Sequence, residues 1–258
     1  MPDHRDLIKE EFARQASSFE DRAYSFGDPR VLAWILDNVP VEPSDLVLDV
    51  AGGTGHVARA YAEHALCATV LDLTREMLAV GKREVDAAGV RNVIFQLGEA
   101  DAMPFLDGSF DLVVSRFAVH HFADPAAALA EMARVCRPGG RVAIFDMVVA
   151  VPELADEYNH RERLRDPSHT RALTAEELNA AMRVAGLEIA HLLERDQALP
   201  LDRWLAQSQA LDDVGSQLRT ELEAELEGGA KTGMRPVREE GELRFTQRWA
   251  IAVAGRPL

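Results

Sequence analysis

Between residues 49 and 55 the chain reads Asp49-Val50-Ala51-Gly52-Gly53-Thr54-Gly55. An apolar run leads into this segment and a helix-forming stretch leaves it. Glycine lets the backbone turn tightly and approach a ligand, and the following helix N-terminus offers free N–H groups. A nucleotide-type cofactor suits such a loop, and taken alone the loop fits more than one. Gly53-Thr54-Gly55-His56-Val57-Ala58 has the G-x-G-x-x-A spacing of a dinucleotide site, with Asp72 roughly 20 residues on, so an NAD-dependent oxidoreductase is one reading. A purely structural turn is another. Asp49 argues against a pyrophosphate, because a carboxylate directly before the loop repels phosphate and favours a cationic amino-acid moiety. Asp72 ends a second apolar run, where its two oxygens can accept both hydroxyls of a ribose or cap the next helix. Gly98-Glu99-Ala100 follows a third run, where a carboxylate and a backbone N–H can read the exocyclic amine and a ring nitrogen of adenine. Glu99 as a solvated loop acid is the plainer alternative.

The elements that must position these groups alternate. Strands are expected at 45–50, 68–73, 92–96, 110–115 and 141–149, with helices at 55–65, 75–88 and 125–136 and a turn at 138–140. This rhythm predicts an α/β fold, a parallel sheet with helices on both faces. Helices at 5–24 and 29–38 precede it. After residue 150 the pattern loosens into helices at 153–164, 174–185, 202–211 and 213–227 and strands at 187–193 and 243–252. Thr174 and Glu177 have capping-box spacing. The segment 228–238, rich in glycine and basic residues, is expected to be a mobile loop. Residues 1–258 read as one domain, with a helical N-terminal extension and helical insertions before the last strand.

Five segments together carry a resemblance: VLDVAGGTG (47–55), LDLTREML (71–78), GEADAMPFLDGSFD (98–111), SRFAVHHFADP (115–125) and RVCRPGGRV (134–142). In this order they resemble the ubiquinone/menaquinone-biosynthesis type of class I S-adenosylmethionine (SAM)-dependent methyltransferase. YNHRERLRDPSHTRALT (158–174) is similar to the YcgJ-like branch of that family. The resemblance implies a Rossmann-like seven-stranded sheet of order 3-2-1-4-5-7-6 with the last strand antiparallel. It implies SAM as methyl donor, with Ala51, Gly53 and Gly55 at its methionine moiety, Asp72 on the ribose, Leu73 and Met77 against the adenosine, and Glu99 with Ala100 on adenine. Asp49 stands before the loop, and Ser115 and Arg116 border the methionine end. Residues 1–40 would form a helical lid bearing Phe19 and Tyr24, and 150–240 would carry substrate-side insertions. Ala51 stands where many relatives have glycine, which requires its backbone to keep ordinary φ and ψ. Glu99 stands where aspartate is usual.

Methyl transfer from a sulfonium is an in-line displacement, so most of the rate can come from positioning, and a base is needed only for a protonated nucleophile. The candidate catalytic bases are His120, His121 and His169; either of the paired histidines could instead cap the helix at 125–136 or line SAM. Asp146 is expected to shape the pocket rather than move protons, His56 to lie at the surface, and Met103, Met132 and Met147 to pack in the core, with bordering adenine the alternative for Met103. Arg165 accompanies His169 on the substrate side, or joins Arg163, Asp166 and Arg171 in a salt-bridged loop. The expected acceptor is a small molecule attacked at oxygen or carbon. A non-catalytic SAM-binding protein is the alternative within the same fold.

Bulk properties narrow the partners. The 258 residues carry 28 Lys+Arg against 43 Asp+Glu, a formal charge of −15, which disfavours nucleic acid. Two cysteines, Cys67 and Cys136, both expected in the core, are too few for a disulfide framework, and no metal site is expected. The charged N-terminus lacks an apolar signal region and no apolar run reaches membrane-spanning length, so a cytoplasmic protein without a membrane partner is expected. Oligomeric state is not legible.

Overall fold

The computed structural model describes residues 4–16, 19–20, 29–208 and 212–258. Two helices come first, α1 (His4–Gln15) and α2 (Pro29–Asn38). The alternating half follows as β1 (Leu46–Val50), α3 (His56–Ala62), β2 (Cys67–Asp72), α4 (Arg75–Ala87), β3 (Val93–Leu97), β4 (Phe110–Arg116), α5 (Pro125–Val135) and β5 (Cys136–Val148). The second half runs α6 (Ala155–Arg165), α7 (Ala175–Val184), β6 (Glu188–Pro200), α8 (Leu201–Gln207), α9 (Asp212–Leu226), β7 (Pro236–Glu239) and β8 (Glu242–Gly255).

The sheet order is β3-β2-β1-β4-β5-β8-β6, parallel through β5, with β8 antiparallel to both β5 and β6. The predicted Rossmann-like topology is therefore present, with one strand more than expected. The extra strand, β7, lies inside the segment expected to be a mobile loop. It pairs with β8 over residues 242–245, beyond the stretch 248–255 that β5 covers, and so extends that side of the sheet. Proline as its first residue removes no ladder donor. Around it Thr232 and Met234 are buried, and Thr232 N–H donates to Glu225 at 2.8 Å, so the segment is packed.

Alternation within the strands supplies two apolar layers. Val47, Leu112, Phe145 and Ile251 face α2 and α3, whereas Leu48, Val113, Ile144 and Ala252 face α5 and α7. Each large side chain buried in this way contributes about 1.5–3 kcal/mol. Phe145 and Trp249 are fully buried and meet edge to face, with centroids 5.7 Å apart. The Thr174–Glu177 capping box is formed in both directions at the start of α7. β5 starts earlier than expected, because Cys136 already pairs with Phe110 before residues 138–140 bulge out and the ladder resumes at Arg141. α1 stops at Gln15, and Phe19 and Glu20 form a turn, so no helix runs unbroken to residue 24. Cys136 is buried but Cys67, opening β2, is half-buried rather than in the core. Among the described residues no helix is long and apolar enough to cross a membrane.

Candidate active site

At the end of β1 the Asp49 side chain turns inward beneath the glycine loop. Its Oδ2 accepts the Ala58 N–H of α3 at 3.1 Å, while Oδ1 is buried with no hydrogen-bond partner. Gly52 arches over this carboxyl so closely that a Cβ there would lie 2.7 Å from it. Burial pushes the Asp49 pKa up to about 7, and the nearby Arg116 guanidinium offsets only part of that rise. Arg116, half-buried, is pulled down to about 10 by desolvation, which Asp49 opposes.

The loop backbone is tied to β2. Gly52 N–H donates to Leu71 O at 3.1 Å, and Gly53 N–H to Asp72 Oδ2 at 2.8 Å. That path places Ala51 at φ +52°, in the left-handed region rather than the ordinary space expected of a non-glycine residue. Asp72 Oδ1 accepts the Thr74 N–H at 2.8 Å, and Thr74, not Asp72, is the N-cap position of α4. Each Asp72 oxygen thus holds a backbone donor, the Thr74 hydroxyl and Leu73 N–H also bear on the carboxylate, and its remaining lone pairs can accept from a ligand. Burial raises its pKa against those hydrogen bonds.

One cavity, about 1530 Å³ out to its mouth, opens along the C-terminal ends of the strands. Of the residues predicted to hold a cofactor, Asp49, Ala51, Gly53, Asp72 and Leu73 line it, as do Met77, Glu99, Ala100 and Arg116. Gly55 and Ser115 do not. Gly55 starts α3 at φ +81°, and Ser115 is buried with its hydroxyl donating to Val50 O at 2.9 Å. Tyr24 lies outside the described residues. Phe19 is on the wall, and a Cβ on Gly53 would sit 3.5 Å from its ring. His56 is not a surface residue. Its Nε2 lies 3.2 Å from Phe19 O and 3.4 Å from Glu20, and burial, with Arg116, pulls its pKa down to about 4. Met103, Met132 and Met147 are all core residues, and Met147 also reaches the cavity.

The histidines separate into two environments. A 3-10 turn, Val119–His121, follows β4 and puts His120 and His121 on the wall. His120 Nδ1 lies 2.6 Å from Asp146 Oδ1, and Asp146 Oδ2 accepts the His120 backbone N–H at 3.2 Å. Burial disfavours the imidazolium, but Asp146, with help from Glu162 and Asp166, outweighs it and raises the His120 pKa. His121 Nδ1–H donates to Ser168 O at 3.0 Å; burial and the neighbouring His120 lower its pKa to about 4. Neither histidine caps α5, whose N-cap is Asp124, accepting from Ala127 N–H. His169 is absent from the wall. Its Nε2–H donates to Asn159 Oδ1 at 2.7 Å, an oxygen that also accepts the Ala172 N–H, and burial holds its pKa far below the ordinary value. It braces the 166–172 segment, and its expected place beside the substrate is corrected accordingly. Arg165 does line the cavity. Of its expected companions Asp166 stays in ion-pair range at 3.8 Å, whereas Arg171 pairs with Glu177 and Arg163 donates to Thr170 O.

Several wall residues carried no sequence signal. α1 presents His4, Arg5, Ile8, Phe12 and Gln15, one face at helical spacing. Phe117, at φ +51°, sends its N–H to Phe145 O at 2.7 Å and packs against Phe145 and Trp249. From the second half come Leu199, Trp204, Gln207, Gln247 and Trp249. No group of three or more His, Cys, Asp or Glu among the described residues is placed to hold a metal ion. The donor set does fit SAM: a buried carboxylate oxygen without a partner suits an α-ammonium group, and Asp72 and Glu99 follow where ribose and adenine would lie.

Comparison with known proteins agrees with this geometry. Residues 48–144 match the family model described as a methyltransferase domain. The uncharacterized methyltransferase YcgJ of Bacillus subtilis is 32% identical over 212 residues, covering 82% of this chain and 83% of that protein. Its crystal structure superposes with a TM-score of 0.80 at 28% identity, over 89% of this chain and all of that one (100%). A demethylmenaquinone methyltransferase from Renibacterium salmoninarum is 41% identical over 112 residues, 43% of this chain and 45% of that enzyme. The glycine loop, the acids after β2 and β3 and the paired histidines after β4 therefore sit in a chain that belongs to the class I SAM-dependent methyltransferases, in the YcgJ-like branch.

Proposed function

We propose that the protein transfers a methyl group from SAM to oxygen or carbon of a small-molecule acceptor, with His120 as the base when the acceptor arrives protonated. The observation that carries this reading is the continuity of the cavity. It runs from Asp72 and Glu99, past the glycine loop, to His120, Trp204 and Trp249 without a dividing wall. A single cleft that joins these two groups of residues suits a donor and an acceptor held side by side.

In this reading Asp72 accepts hydrogen bonds from the ribose hydroxyls, Glu99 and the backbone at Ala100 read adenine, and Asp49 Oδ1 faces the ammonium group. SAM supplies an electrophilic methyl group activated by its sulfonium. The chain supplies position and proton management. The Asp146 carboxylate can only accept, so neutral His120 keeps its proton on Nδ1 and its lone pair on Nε2. A raised pKa makes that lone pair the stronger base, and His121, held near 4, the weaker one. α1 lines one side of this cleft through Arg5, Ile8, Phe12 and Gln15, and a concave site of this kind suits a metabolite.

The direct test is incubation with methyl-labelled SAM and a metabolite extract, read by mass spectrometry. The expected result is label in a low-mass compound, lost when Asp72→Ala removes the ribose acceptor. Label appearing only in protein or nucleic acid would overturn the small-molecule reading, and no label in any fraction would favour a SAM-binding protein without transferase activity.

A further inference from the structure

The acceptor end of the cavity is walled by rings, Phe12, Phe117, Trp204 and Trp249, and one guanidinium is set among them. Arg165, the last residue of α6, has a side chain only 10% exposed. Its Cζ lies 5.0 Å from the centre of the Trp204 ring, and its Nε–H donates to the Trp204 carbonyl at 3.2 Å. These two contacts fix the plane of the group while using one of its five N–H bonds. Asp166 Oδ2 forms an ion pair with Nη1 at 3.8 Å, which offsets charge but is too long for a hydrogen bond, and Asp166 Oδ1 is occupied by the Ser168 N–H and hydroxyl. Glu162, a second acid near Arg165, is buried and accepts from Gln247 at 3.1 Å. Among the described residues the two Nη groups donate no hydrogen bond within the chain. A mostly buried guanidinium is costly unless its donors are met, and the cavity is where a partner can meet them.

We propose that Arg165 determines acceptor specificity and that the acceptor is a small aromatic carboxylic acid, its carboxylate paired with the Nη groups of Arg165 and its ring against Trp204 and Trp249. The inference rests on the small-molecule reading above. A planar carboxylate matches the guanidinium fork with two parallel hydrogen bonds. A phosphate dianion would call for more positive charge than this end of the cavity offers. Flat aromatic walls favour a ring over a branched aliphatic chain by edge-to-face and stacking contact.

The test uses the full chain saturated with S-adenosylhomocysteine and titrates two probes by calorimetry, 4-hydroxycinnamate and its methyl ester. The acid is expected to bind at least tenfold more tightly (order of magnitude for a charge-assisted pair) than the ester. Arg165→Gln should erase the difference without changing affinity for S-adenosylhomocysteine, and Arg165→Lys should restore part of it. An ester that binds as well as the acid overturns the proposal, as does a preference that survives Arg165→Gln. Binding of neither probe to the loaded protein also overturns it. In that case methyl transfer to a different class of metabolite would still support the broader function. Should Arg165→Gln fail to fold, the acid–ester comparison on the unaltered chain decides.

Discussion

His120 and Asp146 form a buried pair in which the carboxylate grips both the imidazole Nδ1, at 2.6 Å, and the backbone N–H of the same residue, at 3.2 Å. The two residues come from neighbouring strands: His120 follows β4, and Asp146 lies near the end of β5. Asp146 therefore sets where the ring lies and which nitrogen holds the proton. The raised His120 pKa has a definite sign. The proton-accepting form appears only above a midpoint higher than the ordinary value of about 6.5. Ring-selective NMR should show that midpoint directly. In Asp146→Asn the strongest attraction is gone and burial is opposed only by Glu162 and Asp166, so the midpoint should fall. If both proteins titrate at the same pH, Asp146 does not control the ring.

Asp49 gives a second pH signature. Its pKa of about 7 in the folded chain lies above the unfolded value near 3.8, so the folded state binds more protons between about pH 4 and 7. Asp49 thus lowers stability as pH rises through that window and has no further effect above it. The difference in unfolding free energy between the unaltered chain and Asp49→Asn should change across pH 4–7 and level off beyond. A cationic ammonium group beside Oδ1 favours the charged carboxylate. Binding of S-adenosylhomocysteine should therefore tighten as pH rises from 6 to 8 and release protons, visible as a buffer-dependent heat. A heat identical in buffers of different ionisation enthalpy would count against the contact.

Ala51 is the clearest case in which sequence reasoning and structure part. Alanine at this point of the loop was expected to keep an ordinary backbone, yet hydrogen bonds from Gly52 and Gly53 to β2 residues impose φ +52°. A left-handed alanine costs about 1–2 kcal/mol, and glycine returns about 0.4–1 kcal/mol of that as unfolded-chain entropy. Ala51→Gly should stabilise the fold by up to about 1 kcal/mol in a denaturant titration. Ala51→Val should destabilise it, since a β-branched side chain tolerates this region less well. A stability loss in Ala51→Gly would mean that the methyl group packs usefully.

What could be read beforehand follows the same division. The strand–helix alternation, the Asp72 position and the sheet order rest on local patterning and on a run of motifs between 47 and 142, and these are found in the structure. β7 escaped notice because four residues opening with proline in a glycine-rich stretch have no periodicity to detect; only β8 gives them a ladder. His169 looked like a substrate-side group because its segment covers the pocket, but the nearby Asn159 carbonyl draws its ring inward. Trp204, Gln247 and Trp249 were not legible, since their place on the wall depends on how the last strands and α8 fold back over the cavity.

The cover over that cavity is held by charge, and its strength can be bounded. Arg5 on α1 reaches Glu99 at 2.9 Å and Asp101 at 2.7 Å, while His4 Nε2 lies 2.9 Å from both His121 O and the Thr170 hydroxyl. One helical turn therefore clasps the loop after β3 and the segment after α6 together. The Arg5 and Glu99 side chains are 41% and 36% exposed, so water screens the pairs and each contributes only about 0.2–1 kcal/mol. Arg5→Ala should consequently loosen the cover without abolishing it. Stopped-flow release of S-adenosylhomocysteine should quicken by roughly two- to tenfold, the range set by one or two weak ion pairs. Raising ionic strength to 1 M shortens the screening length to about 3 Å and should bring the unaltered chain close to the variant. A release rate that ignores both the substitution and the salt would show that α1 is held by the Phe12–His121 contact and apolar packing instead.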